Sequence, residues 1–216
     1  METTVKELPG LPLARKSLRM LAYKGVVRRY PRGSTIIREG DTGDEFYIIL
    51  AGTVQAFSRD SSGREVIFST QSAGEYFGEM ALDGGARSAS VKAVEATICS
   101  VLTCRTLEAH FAEFPEFAAE LISRLIHRVR VLTKTTRGLA LLGVYRRISD
   151  LFERLAVPDG NGHRVISERL THQKIAAYVG ASREMVSKVL KELTVGGYLT
   201  TTERKIVILK SLPPGW

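Results

Sequence analysis

The stretch Leu170-Thr171-His172-Gln173-Lys174-Ile175-Ala176-Ala177-Tyr178-Val179-Gly180-Ala181-Ser182-Arg183-Glu184-Met185-Val186-Ser187-Lys188-Val189-Leu190-Lys191-Glu192-Leu193 holds two helix-start signals on either side of one glycine. A helix leaves its first backbone N–H groups without partners, and a Ser or Thr hydroxyl in front of it accepts from one of them. Thr171 suits that place for a helix that buries Ile175, Ala176 and Val179. Gly180 closes this helix, because the residue after a helix end commonly takes positive φ, which glycine adopts without strain. Ser182 then caps a second helix that buries Val186, Val189 and Leu190. Two short helices joined through a glycine turn form a helix-turn-helix, whose second helix enters the major groove of duplex DNA.

Arg183, Glu184, Ser187 and Lys188 lie outside the apolar side of the second helix, on neighbouring turns. Arg can grip guanine O6 and N7 with two donors, Glu can accept from cytosine N4, and Lys can reach guanine. An acidic residue facing DNA is unfavourable unless it meets a base donor, so Glu184 points to base readout. The plainer alternative is a Glu184–Lys188 surface pair. Thr171, His172, Gln173 and Ser182 complete the candidate DNA-facing set. Further on, residues 198–202 and 206–209 flank the basic turn Glu203-Arg204-Lys205, a hairpin that suits a wing on backbone phosphates or a lid over the core. Residues 137–216 carry 13 Lys/Arg against 7 Asp/Glu, whereas residues 1–136 carry 18 against 16. Cations clustered at one end suit a polyanion, although such an excess also occurs on ordinary solvated surfaces.

Upstream, Val144–Leu155 is amphipathic, with Ile148, Leu151, Phe152 and Leu155 on one face. Pro158-Asp159-Gly160-Asn161-Gly162 is an exposed loop by composition. Gly143 lowers helix propensity by roughly 1 kcal/mol relative to Ala and marks a hinge. Before it, Ala118, Ile122, Leu125, Val129, Leu132, Thr136 and Leu139 recur at alternating spacings of four and three. That is a heptad seam interrupted by Thr136, in a helix whose first turn accommodates Pro115. Packing on its own domain would explain the pattern. The charged flanks Arg124, Arg128, Arg130 and Lys134 leave a narrow stripe, however, and favour a parallel coiled-coil contact in a homodimer.

From Gly33 to Leu102 the chain reads as short strands divided by glycine: Ser34-Thr35-Ile36-Ile37, Phe46-Tyr47-Ile48-Ile49-Leu50, Thr53-Val54-Gln55-Ala56-Phe57 and Glu65-Val66-Ile67-Phe68. Asp41-Thr42-Gly43-Asp44 and Ser61-Ser62-Gly63 are turn chemistry, so a small antiparallel roll or barrel is expected. Within it, Phe77-Gly78-Glu79-Met80-Ala81-Leu82-Asp83-Gly84-Gly85-Ala86-Arg87-Ser88-Ala89 can form a ligand loop. Gly78 permits close backbone approach, and the N–H groups after it can make an anion nest. Arg87 can pair with a phosphate while Glu79 accepts from a ribose hydroxyl. An internal Glu79–Arg87 salt bridge is the competing reading.

Other chemistry finds little support. Cys99 and Cys104 form no C-x-x-C pair, and Cys99 sits in an apolar run that suits a buried core thiol. His110, His127, His163 and His172 all lie outside the ligand loop, and no nucleophile–base order or metal spacing stands out, so neither an enzyme nor a metal site is expected. No apolar run approaches the ~18 residues of a membrane span, and the N-terminal residues lack the basic-then-apolar pattern of a signal peptide. A reducing, cytoplasmic setting is expected.

This order of parts resembles the Crp–Fnr (catabolite activator protein-like) family of transcriptional regulators over nearly the whole chain. The resemblance implies an α+β fold with a cyclic-nucleotide-binding-type β-roll (residues 1–114), a long central dimerisation helix (115–142) and a C-terminal winged helix-turn-helix (143–216). Arg183-Glu184-x-x-x-Lys188 is similar to the family's recognition helix, which usually has Arg where Lys188 stands; members with this Arg-Glu pair read TGTGA-like palindromes. The ligand loop resembles the phosphate-binding cassette of cyclic-nucleotide domains. By that resemblance Glu79 holds the ribose 2′-hydroxyl, Arg87 and Ser88 hold the cyclic phosphate, and Gly78, Met80 and Ala89 line the site. The expected effector is cAMP, with cGMP, a cyclic dinucleotide or no ligand as alternatives, and no cofactor is required. Two departures stand out. The Glu79–Arg87 stretch is one residue shorter than the usual cassette, and Leu132-Thr133 replaces the Thr-Ser that contacts adenine in the cAMP-responsive activator, leaving Thr133 as one polar contact. Duplex DNA and RNA polymerase are the implied partners, the latter through surface loops such as residues 158–163. The iron–sulfur and haem branches do not fit, the first because the N-terminal segment has no Cys.

Overall fold

The computed structural model describes residues 13, 15–61, 63–160, 162–202 and 205–213, without the side chains of 139–141. The sequence expectations at Ser62, Leu139, Asn161, Glu203 and Arg204 therefore lie outside the described residues. The chain forms two compact units, Met1–His127 and Arg128–Trp216.

In the first unit, α1 (Lys16–Ala22) leads into two four-stranded sheets. One is ordered β1 (Val26–Tyr30), β8 (Thr97–Thr103), β3 (Glu45–Ala51), β6 (Tyr76–Phe77). The other is ordered β2 (Thr35–Ile37), β7 (Ser90–Ala93), β4 (Thr53–Arg59), β5 (Glu65–Ser72). All recorded pairs in the two sheets are antiparallel. β3 explains why its sequence is apolar without alternation. Successive side chains point to opposite faces, and here both faces are covered: Phe46, Ile48 and Leu50 join the helical side with Leu18, Leu21, Leu107 and Phe117. Tyr47 and Ile49 instead meet Ile37, Val54, Phe77 and Val91 between the sheets. Each such fully buried side chain contributes roughly 1.5–3 kcal/mol.

α2 (Cys104–Glu113) begins where Thr103 accepts the Thr106 N–H at 3.2 Å, and α3 (Pro115–Leu141) follows with proline at its first position. Sequence reading missed the short elements α1, β1 and α2, although Thr103 is a start signal for α2. The seam expected on α3 is divided. Phe117 and Leu121 are buried in the sensor core, and Leu125 packs on it, so the helix's first half belongs to that unit. Ile122, Ile126, Val129 and Leu132 stay 57%, 48%, 61% and 49% exposed.

In the second unit, Gly143 is the extended N-cap of α4 (Val144–Leu155), which buries Ile148, Leu151 and Phe152. α5 (His172–Val179) and α6 (Arg183–Val195) pack on it in one core with Ile166, Ile175, Val186, Leu193 and Ile206. A sheet ordered β11 (Leu199–Thr202), β12 (Lys205–Ile208), β10 (Arg164–Ile166), β9 (Val157–Pro158) completes it. The expected wing hairpin is β11–β12, in register from Leu199↔Ile208 to Thr202↔Lys205. The loop expected after Pro158 is the exposed tip of a second hairpin, fastened where Asp159 N–H donates to the His163 carbonyl at 3.1 Å. Among the described residues, no helix is long and apolar enough to cross a membrane and no cluster of His, Cys, Asp or Glu could hold a metal.

Candidate functional site

The sensor site is assembled around Arg87, whose position is fixed by its own backbone. Its N–H donates to the Asp41 carbonyl and its carbonyl accepts from Gly40 N–H, both at 2.9 Å. The side chain is 6% exposed. Nη2 donates to the Glu45 carbonyl at 3.0 Å and to Glu45 Oε2 at 3.1 Å, and Nη1 donates to the Gly78 carbonyl at 3.3 Å. Arg87 is thus ion-paired with Glu45, a partner the sequence reading did not name. Gly78 is required here: its φ is +85°, and a Cβ would fall 2.8 Å from the Glu45 carbonyl and 3.3 Å from Arg87 Nη1. A Cβ on Gly43 would come 3.1 Å from Arg87 Nη2.

Arg87 opens into a cleft of about 230 Å³ lined by Thr35, Arg38, Asp41, Thr42, Glu45 and Tyr47 among others. Tyr47 stacks on Phe77 at 4.7 Å, and burial, with the Glu45 carboxylate nearby, pushes its phenol up to about 12. Glu79 starts a 3-10 helix (Glu79–Asp83) and is 4% exposed. Met80 is exposed and its Sδ accepts from Ser88 Oγ at 3.1 Å, while Ala89 is half-buried. The anion nest is narrower than expected: the N–H groups of Ala81, Gly84 and Gly85 close local turns on Gly78 O, Ala81 O and Asp83 Oδ1. Thr133 is exposed, with its hydroxyl donating to the Val129 carbonyl at 2.9 Å. Glu45, Gly43 and the cleft walls were missed by sequence reading, since Glu45 meets Arg87 across 42 residues. Burial pushes the Cys99 thiol up to about 12, in keeping with an inert core thiol.

The second site is α6. Ser182 accepts Met185 N–H at 3.2 Å, Thr171 accepts Lys174 N–H at 3.1 Å, and Gly180 has φ +60°. Val186, Val189, Leu190 and Leu193 are buried, so Arg183, Glu184 and Lys188 are left exposed. The Glu184 carboxyl is held below its usual range by its own backbone N–H and the Ser182 hydroxyl. Ser187 is half-buried and engaged: its Oγ donates to the Arg183 carbonyl at 2.9 Å and lies 2.8 Å from His172 Nδ1. Gln173 is exposed beside them. Arg147, unmentioned by the sequence reading, reaches from α4 to the carbonyls of Val179 and Gly180 at 2.5 and 3.2 Å, placing a cation at the C-terminus of α5.

A capped helix-turn-helix with a β-wing, joined to a β-roll carrying a glycine–arginine cassette, defines a DNA-binding regulator with a cyclic-nucleotide-binding-type sensor. Comparison with known proteins agrees on both halves. The cyclic nucleotide-binding domain family matches residues 27–113, and the Crp-like helix-turn-helix domain family matches residues 144–211. The CRP-like cAMP-activated global transcriptional regulator of Mycobacterium tuberculosis is 30% identical over 187 residues, 84% of this chain and 83% of that protein. The cAMP-activated global transcriptional regulator CRP of Escherichia coli O157:H7 is 30% identical over 186 residues, 84% of this chain and 89% of that protein. Among solved structures, the c-di-GMP-responsive regulator CLP of Xanthomonas campestris superposes with a TM-score of 0.79 at 23% identity, covering 90% of this chain and 98% of that one. The Thermus thermophilus catabolite activator protein gives 0.54 at 28% identity, covering 93% and 92%. The chain belongs to the Crp–Fnr family of transcriptional regulators, a family of DNA-binding proteins and not of enzymes.

Proposed function

We propose that the protein is a homodimeric, cytoplasmic regulator that reads a TGTGA-like palindrome and is gated by a cyclic nucleotide, cAMP first. The observation that carries the DNA half is α6: a helix capped by Ser182 that buries its apolar side and exposes Arg183, Glu184 and Lys188. Those three residue types discriminate base pairs in the major groove, with Thr171, His172, Gln173, Ser182 and Ser187 around them. The exposed Ile122, Ile126, Val129 and Leu132 on α3 support pairing with a second copy, as a coiled-coil seam does. Two-fold symmetry then matches a palindrome. For the effector, the support is the cassette itself, with Gly78 pressed against Arg87, and the cAMP-activated relatives. Glu79 holds the ribose, Arg87 and Ser88 the phosphate, Met80 and Ala89 line the site, and Thr133 offers one polar contact. RNA polymerase is the downstream partner, met through exposed loops such as residues 158–163.

One observation favours a second reading. The Arg87 guanidinium already has the Glu45 carboxylate and two carbonyls, which suits a regulator that needs no ligand. Fluorescence-anisotropy titration of a TGTGA palindrome at fixed salt, with and without cAMP, separates the two. Tightening by cAMP that is lost in Arg87→Ala supports the gated form. Equal, tight binding under both conditions supports the ligand-independent one, and absence of binding sinks the DNA assignment.

A further inference from the structure

His172 occupies the first position of α5, exposed, and its Nδ1 lies 2.8 Å from Ser187 Oγ on α6. Ser187 Oγ donates to the Arg183 carbonyl at 2.9 Å. A hydroxyl has one proton to give. With that proton on the Arg183 carbonyl, the bond between the two side chains has to use a proton on Nδ1. In the neutral ring this leaves Nε2 as a bare acceptor, and in the cation Nε2 becomes a donor. The first helix of a helix-turn-helix crosses the DNA backbone, where the available partners are anionic oxygens. A lone pair facing them is repelled, whereas an N⁺–H makes a charge-assisted hydrogen bond.

We infer that His172 is a proton-dependent phosphate contact, with Ser187 as the positioning residue that fixes which ring nitrogen faces the DNA. This rests on the DNA-reading assignment above and adds a regulatory property to it. The charged groups on the two helices around the ring leave it room to act. Lys174 on α5 is paired with Glu168 at 2.5 Å. On α6, the Glu184 carboxylate is bonded to Ser182 and its own N–H, and Arg183, Lys188 and Lys191 are all cationic. Among the described residues no ion pair to the ring is recorded, so an anionic partner for Nε2 comes with the DNA. Phosphate favours the imidazolium, so the complex takes up protons and affinity rises as pH falls.

The test is anisotropy titration of the full-length protein on the palindromic duplex at constant ionic strength, from about pH 6 to pH 8, across the ordinary histidine range. The wild type should bind about tenfold or more tightly at the acid end, the equivalent of one pKa unit. His172→Arg should bind tightly with a flat profile, and His172→Gln weakly with a flat profile. Ser187→Ala, which keeps the imidazole but frees the ring, should give a shallower slope. Parallel slopes in wild type and His172→Gln overturn the inference and point to another group, such as His163 beside Asp159 at 3.8 Å. Failure of every variant to bind at any pH removes the DNA assignment beneath it as well.

Discussion

The two sites of this protein handle charge in opposite ways. On α6, Arg183 and Lys188 stand exposed on a rigid, capped helix, ready for a partner outside the molecule. In the sensor, Arg87 is 8% exposed and bonded to Glu45 and Gly78. An exposed cation contributes little to folding, while a buried one is part of the fold as well as of any ligand site. The reader's function should therefore separate cleanly from its stability, and the sensor's should not.

A matched pair of variants breaks or sharpens that contrast most strongly. Arg183→Ala should lose about a hundredfold or more in affinity for the palindrome, since a bidentate base contact is worth roughly 1–3 kcal/mol and two half-sites lose one each. Its unfolding transition by calorimetry should stay within about 0.5 kcal/mol of wild type. Arg87→Ala should do the reverse, destabilising the sensor transition by roughly 2–3 kcal/mol as the Glu45 and Gly78 carbonyls lose their donor. That figure allows for the 37% exposure of the Glu45 side chain, which screens the ion pair. A stable Arg87→Ala protein would mean that the guanidinium is present for ligand alone.

How far each site was legible in the sequence follows the same contrast. The reader is local: Thr171, Gly180 and Ser182 are caps and a turn within a dozen residues, and all three take those roles. The heptad on α3 was legible as a period but not as a division of labour, because Phe117 and Leu121 lie off the seam and are buried in the sensor core. Sensor strands such as β3 announced themselves by composition, whereas their order in two sheets is set by non-local pairing. Glu45 could not be found by pattern. Its register in β3 places it against Arg87, and nothing near it in sequence marks that contact. Ser187 was legible as outward-facing, yet its hydroxyl is committed to Arg183 and His172.

A smaller effect tests whether the reader's rigidity matters. Ser182→Ala removes the acceptor for Met185 N–H, and with it the side-chain bond to Glu184. Loss of a cap typically destabilises by about 1 kcal/mol. The second unit's transition should fall by that amount, and specific DNA affinity should weaken because Glu184 loses its fixed orientation. Unchanged specificity would show that the groove, not the cap, orients Glu184.

The smallest effect concerns two histidines with opposite expectations. His110 is buried between Phe114 and Phe117, with ring centroids at 4.5 and 5.5 Å. Burial pulls its pKa down, aided by the Lys24 ammonium and opposed by the Ser17 backbone and the Glu113 and Glu116 carboxylates. The unfolded chain, with an ordinary imidazole near about 6.5, then binds more protons than the folded one as pH drops. His110 thus contributes stability that is present above about pH 6.5 and fades as pH falls toward its folded pKa. The sensor transition should lose stability through this window, and His110→Phe, which keeps an aromatic ring there, should flatten the slope. Over the same interval the His172 inference has DNA binding tighten. Acid would then loosen the sensor while strengthening the reader's grip, and a sensor slope that persists in His110→Phe would place the titrating group elsewhere in the first unit.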